Sequence, residues 1–146
     1  MKGKQRASGK SLTASLAGFE CVVQTQVMKK GDTDAAANGW WGYDTAVARS
    51  ADFLVSHVSI RHHKQRIAVP VSAYSGLANV DKVSIRKTGA GCEISFEGGD
   101  GVTSYMAKLF IKRVGKDYIV KQREVRRGEA PQDWWETTTY SDPFSF

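Results

Sequence analysis

Over most of the chain apolar and polar residues alternate with a period of two, as in strands whose faces meet different surroundings. The alternation is cleanest over residues 92–97, where Cys92, Ile94 and Phe96 share one face and Glu93, Ser95 and Glu97 the other. The first face is expected to cover a core and the second to meet water. Residues 102–112 place Tyr105, Ala107, Leu109 and Ile111 on one side, with Val102, Met106 and Phe110 on the other. Apolar residues on both sides predict a central strand covered on both faces. Further strands are predicted over residues 53–61, 66–71, 82–87 and 118–126, and a fainter one over 135–140.

Short polar or glycine-bearing segments separate these runs: His62-His63-Lys64-Gln65, Thr88-Gly89-Ala90-Gly91, Gly98-Gly99-Asp100-Gly101 and Val114-Gly115-Lys116-Asp117. Glycine reaches the positive φ that tight hairpins demand, so each reads as a turn between antiparallel strands. Pro70 lacks a ladder donor and belongs at a strand end or edge. Residues 72–79 lack the period of two and suggest one short helical turn. Residues 32–42 are small and turn-like, a loop leading into Trp40-Trp41-Gly42-Tyr43.

Residues 11–30 carry two periods at once. Leu12, Leu16, Phe19, Val23 and Val27 fall at helical spacing, with Ser11 as an N-cap and Gly31 as a stop. Phe19, Cys21, Val23, Thr25 and Val27 also alternate, and the β-branched content favours a strand over 19–28, preceded by at most one or two helical turns. The resulting expectation is a mainly β fold: an antiparallel meander of about seven or eight short strands, curled into an up-and-down barrel or a curved, half-open sheet. The alternative is α+β, with an N-terminal helix packed on the sheet.

Composition narrows the class. With 41% hydrophobic and 25% charged residues among 146, neither global disorder nor a coiled coil fits. No run approaches the ~20 apolar residues of a membrane-spanning helix. Residues 1–10 read as a flexible basic tail and 11–146 as one β-rich domain. The basic start followed by residues 11–18 has the order of a secretory signal, but its apolar part is short and rich in Ser and Thr, so export is the lesser reading. Cys21 and Cys92 have no zinc-type spacing; two buried free thiols are expected ahead of one disulfide.

The net charge of +6 is unevenly spread. Residues 1–10 carry +4, 11–59 carry −2, 60–127 carry +8 and the last nineteen carry −4. A basic tail and a basic middle point to an acidic partner. Lys82 with Arg86, Lys108 with Lys112, and Lys121 with Arg123 recur at strand spacing ahead of Arg126-Arg127, so neighbouring strands could merge their outer faces into a basic patch.

Catalytic chemistry finds little support. His57, His62 and His63 do not converge, because adjacent residues of an extended chain face opposite ways, and no metal site is expected. Neither cysteine sits where a thiolate is favoured, and no serine elbow is present. Gly98 to Gly101 offers one carboxylate, too little for calcium. The chain is therefore expected to be non-enzymatic, with no cofactor.

The unusual features are aromatic doublets in loops, Trp40-Trp41 with Tyr43 and Trp134-Trp135, beside the basic strands. These Trp either plug the open ends of a barrel or anchor a partner. The expectation is an interaction module for an acidic macromolecule, foremost a protein, using Trp40, Trp41, Tyr43, Trp134 and Trp135 as anchors and Arg61, Arg86, Lys108, Lys112 and Arg126 as steering charge. Nucleic-acid binding through a basic sheet face is the second reading. A small-ligand carrier with a cavity beneath Phe96, Tyr105 and Leu109 is the third.

Overall fold

The computed structural model describes residues 9–28, 41–42, 52–99, 103–127 and 135–140. Among these residues nine antiparallel strands follow in chain order: β1 Ser11–Leu16, β2 Phe19–Val27, β3 Phe53–His62, β4 Gln65–Ile67, β5 Val80–Thr88, β6 Gly91–Gly98, β7 Tyr105–Val114, β8 Asp117–Arg127 and β9 Trp135–Thr139. They form two meanders, β1-β2-β3-β4 and β5-β6-β7-β8-β9. β1 runs beside β5 and β4 approaches β8, but among the described residues no ladder joins the sheets. The molecule is a curved β structure that does not close into a barrel. The mainly β, antiparallel and half-open reading of the sequence holds, with nine strands among the described residues in place of seven or eight, and β7 lies in the centre of its sheet.

The inner faces of both sheets share one core. Phe19, Cys21, Val23, Val58 and Ile60 from the first sheet meet Val80, Ile94, Phe96, Tyr105, Leu109 and Val125 from the second. Burying each large apolar side chain contributes about 1.5–3 kcal/mol. Breaks in strand register at Gln24/Thr25, Val80/Lys82 and Phe110/Ile111 mark irregularities that help the sheets bend. Phe96, Tyr105 and Leu109, the residues on which a carrier cavity was predicated, are buried within this packed cluster.

The N-terminal helix of the α+β alternative is absent: residues 11–16 are a strand paired with β2 from Ser11↔Gln24 to Leu16↔Phe19. The one or two helical turns expected before residue 19 are absent too. Ala17 and Gly18, with φ of 53° and 85°, close the hairpin in two residues, as a type I′ turn requires. The helical spacing of Leu12, Leu16 and Phe19 therefore straddles a turn. The segment predicted as strand 66–71 is also shorter, ending at Ile67 ahead of Pro70. The single helical turn expected near 72–79 is present as a 3-10 turn at Val71–Ala73.

Asn79 ties the first sheet to the second. Its side chain accepts the Phe53 N–H at 3.0 Å and donates to Gly42 O at 3.0 Å and to Asp52 Oδ1 at 2.9 Å. It does so from a left-handed backbone, φ 55°, which asparagine tolerates better than most residues. Gly42 then passes so close to Ala78 and Tyr105 that a Cβ there would lie 2.4 Å from Ala78 O and 2.5 Å from the Tyr105 ring.

Candidate functional site: a basic hairpin end

In an up-and-down meander the odd-to-even turns fall at one end. Here these are Ala17-Gly18, His63-Lys64, Gly89-Ala90 and Gly115-Lys116. Contacts across the sheets bring all four together. A Cβ on Gly18 would come within 2.7 Å of the His63 ring. His62 lies between Phe19 and Tyr118, with ring centroids 4.5 and 4.7 Å away. Gln65 Nε2 donates to Asp117 Oδ1 at 2.7 Å, joining the second turn to the fourth. The field of Lys87 reaches His62 from the third.

This end carries Arg61, Lys64, Arg66, Lys87, Lys112, Arg113 and Lys116, all exposed, against the carboxylates Glu20 and Asp117. Arg61 pairs with Glu20 at 3.8 Å. Arg113 Nε donates to Gly115 O at 2.9 Å, and Lys87 Nζ donates to Gly89 O, so both cations are held over their own turns. Among the described residues Lys64, Arg66, Lys112 and Lys116 have no carboxylate partner. Like charges held this close raise a positive potential that water and salt only partly screen.

The His62 imidazole feels two of these cations. Its pKa lies below the ordinary histidine value, first through burial and then through the positive charges of His63, Arg113 and Lys87. Beside it lies a shallow, open groove of about 540 Å³, with Leu16, Gly18, Glu20, Arg61 and His63 among its walls. Leu16 is 44% exposed there, an apolar contact point within a cationic rim.

The outer face of the second sheet is balanced instead. Arg86 is ion-paired with Glu93, Lys108 Nζ lies 3.7 Å from the same carboxylate, and Lys82 Nζ lies 3.9 Å from Glu97. Glu93 is 5% exposed although its parity predicted a residue facing water. It is on the outer face, covered by the side chains that neutralise it. Arg126 Nη2 contacts Met106 Sδ at 3.7 Å on the same sheet.

Arg123 leaves the outer surface altogether. The irregularity opposite Phe110/Ile111 makes Lys121 the extra residue of β8 and turns Arg123 inward, 4% exposed. Its Nη1 donates to Ser72 O at 2.7 Å and Ser75 O at 2.8 Å, and its Nη2 pairs with Glu136 at 3.0 Å.

Of the predicted site residues, Arg61 and Lys112 meet at the hairpin end, whereas Arg86, Lys108 and Arg126 lie along the charge-paired sheet. Trp41 is half-buried at the opposite end, bridged to Leu77 and 6.1 Å from the Tyr105 ring. The backbone of Trp135 pairs with Arg126 at that same end. Trp40, Tyr43 and Trp134 lie outside the described residues, as does nearly all of the basic tail. Arg61 and Lys112 therefore stand at the end opposite to Trp41 and Trp135, whereas Arg126 lies beside Trp135. Lys64, Arg66, Lys87, Arg113 and Lys116 also belong to the hairpin end, which the residue pattern does not mark, because only counting alternate turns places the four loops together.

Among the described residues no three His, Cys, Asp or Glu side chains converge to hold a metal ion. Among them, too, no helix is long and apolar enough to cross a membrane. Comparison of the chain with protein families, with curated proteins and with solved structures gives no match.

Proposed function

We propose that the chain is a non-enzymatic binding module that docks an acidic macromolecule, foremost an acidic protein, on its hairpin end. The observation that carries this reading is the convergence of four turns bearing seven exposed cations and two carboxylates. Such a rim speeds encounter with an anionic partner and sets its orientation.

A protein partner is favoured over nucleic acid by the aromatic and apolar groups of this end. Phe19 is buried, and His62 and Tyr118 are half-buried against it and each other. His63 packs beside Gly18 and His62 and is the one of these rings that is exposed. Few ring faces are therefore free for the base stacking on which single-strand binders rely. Exposed Leu16 beside Arg61 instead suits a surface that mixes carboxylates with an apolar side chain.

The test is a titration of the full, isotope-labelled chain with poly-L-glutamate and, separately, with a single-stranded oligothymidylate, each at low and high salt. The expected result is salt-sensitive binding of the polypeptide, with amide shifts clustered at the four turns. Shifts clustered elsewhere, or no binding at low salt, would overturn the assignment. Tighter binding of the oligonucleotide with the steeper salt dependence would put nucleic acid in the protein's place.

A further inference from the structure

A second polar feature lies away from the hairpin end. Between β8, β9 and the turn at residues 71–76 is a cavity of about 180 Å³, lined by Trp41, Ser72, Ser75, Arg123, Glu136 and Thr138. Arg123 is 4% exposed, and its donors divide unevenly. Both Nη1 bonds go to the carbonyls of Ser72 and Ser75, which is enough to clip that turn onto β8. Nη2 reaches Glu136 Oε1 at 3.0 Å, whereas the buried Nε has no partner among the described residues. A guanidinium has five N–H donors, so more is present than the clip needs.

Nε and Nη2 share the edge of a guanidinium that receives the two oxygens of a carboxylate in parallel. Glu136 takes half of that edge, from a side chain 45% exposed to water. Its hold is that of a solvated residue free to leave. We propose that this seam is a binding pocket for a small carboxylate, which takes the Nε and Nη2 edge of Arg123 in place of Glu136. The pocket is open on one side, and its volume equals that of about six water molecules, enough for a carboxylate with a short carbon body. Trp41 offers that body an aromatic wall, and Ser75 and Thr138 offer it hydroxyl groups, that of Ser72 being bonded to Tyr140. The inference stands on Arg123 and its cavity alone, so it survives or fails independently of the hairpin end.

The experiment follows the Arg123 Nε–H resonance of the full, nitrogen-labelled chain as sodium acetate is added, against sodium chloride and inorganic phosphate at equal ionic strength. Acetate is expected to shift the signal saturably and chloride to leave it in place. If Glu136 holds the edge most of the time, Glu136→Ala lowers the acetate midpoint roughly fivefold to tenfold. No saturable shift in wild type, or the same shift with chloride, would overturn the pocket. Equal midpoints in the two proteins would overturn the exchange with Glu136, and a response to phosphate without acetate would overturn the ligand class. Should the Ala variant fail to fold, the wild-type titration decides.

Discussion

Asn79 shows how much of this molecule hangs on single side chains. Its amide serves three partners from a left-handed backbone, so Asn79→Ala removes three hydrogen bonds and adds conformational strain. The expected loss is about 2–4 kcal/mol, read from urea denaturation; a loss under about 1 kcal/mol would show that water takes over its role. The thiols give a second prediction. Burial pushes Cys21 up to about 12, with smaller pushes from Cys92 and Glu20, and burial pushes Cys92 up to about 11. Both are free. Iodoacetamide at mildly alkaline pH is expected to label neither until denaturant is added, whereas prompt labelling of the native protein would contradict their burial. His62 supplies a pH effect whose sign is fixed. Its folded pKa is lowered, so the unfolded chain takes the proton more readily, and stability present above the unfolded value is lost as pH falls from there through the lower folded value. Ring resonances are expected to show His62 titrating below a free histidine, and titration at or above that value would remove the positive field inferred around it.

At the scale of elements, the strands were legible where one face is buried and the other wet. Strand β6 shows this, since Cys92, Ile94 and Phe96 could only fall on one side. Strand β1 was hidden because its burial is slight and Ala17-Gly18 is a weaker hairpin signal than the later glycine turns. A period of two interrupted by a two-residue turn imitates a helical spacing, and only the pairing of Leu16 with Phe19 removes the ambiguity. That turn can be tested. Gly18 has φ 85° and lies against the His63 ring, so Gly18→Ala is expected to cost about 1 kcal/mol or more and to shift the His63 resonances. Unchanged stability and unchanged His63 signals would show that the first two hairpins do not meet. The same scale explains Arg123 and Glu93. A register break in β8 turned the arginine inward, and flanking cations covered the glutamate, and neither event leaves a mark in the residue pattern.

For the whole molecule, net charge was readable but its geometry was not. The sequence suggested basic sheet faces with tryptophan anchors beside them. In the folded chain the outer face of the second sheet neutralises its own cations through Glu93 and Glu97, and the excess gathers where four turns meet. Trp41 and the start of β9 lie at the far end. The most direct test compares two double charge reversals of equal net charge for binding to fluorescent poly-L-glutamate: Lys112→Glu and Lys116→Glu at the hairpin end, and Lys82→Glu and Lys121→Glu on the second sheet. The hairpin variant is predicted to lose affinity roughly tenfold more than the sheet variant at low salt while both keep the native fold. Equal losses, or the greater loss in the sheet variant, would contradict the hairpin end as the docking surface.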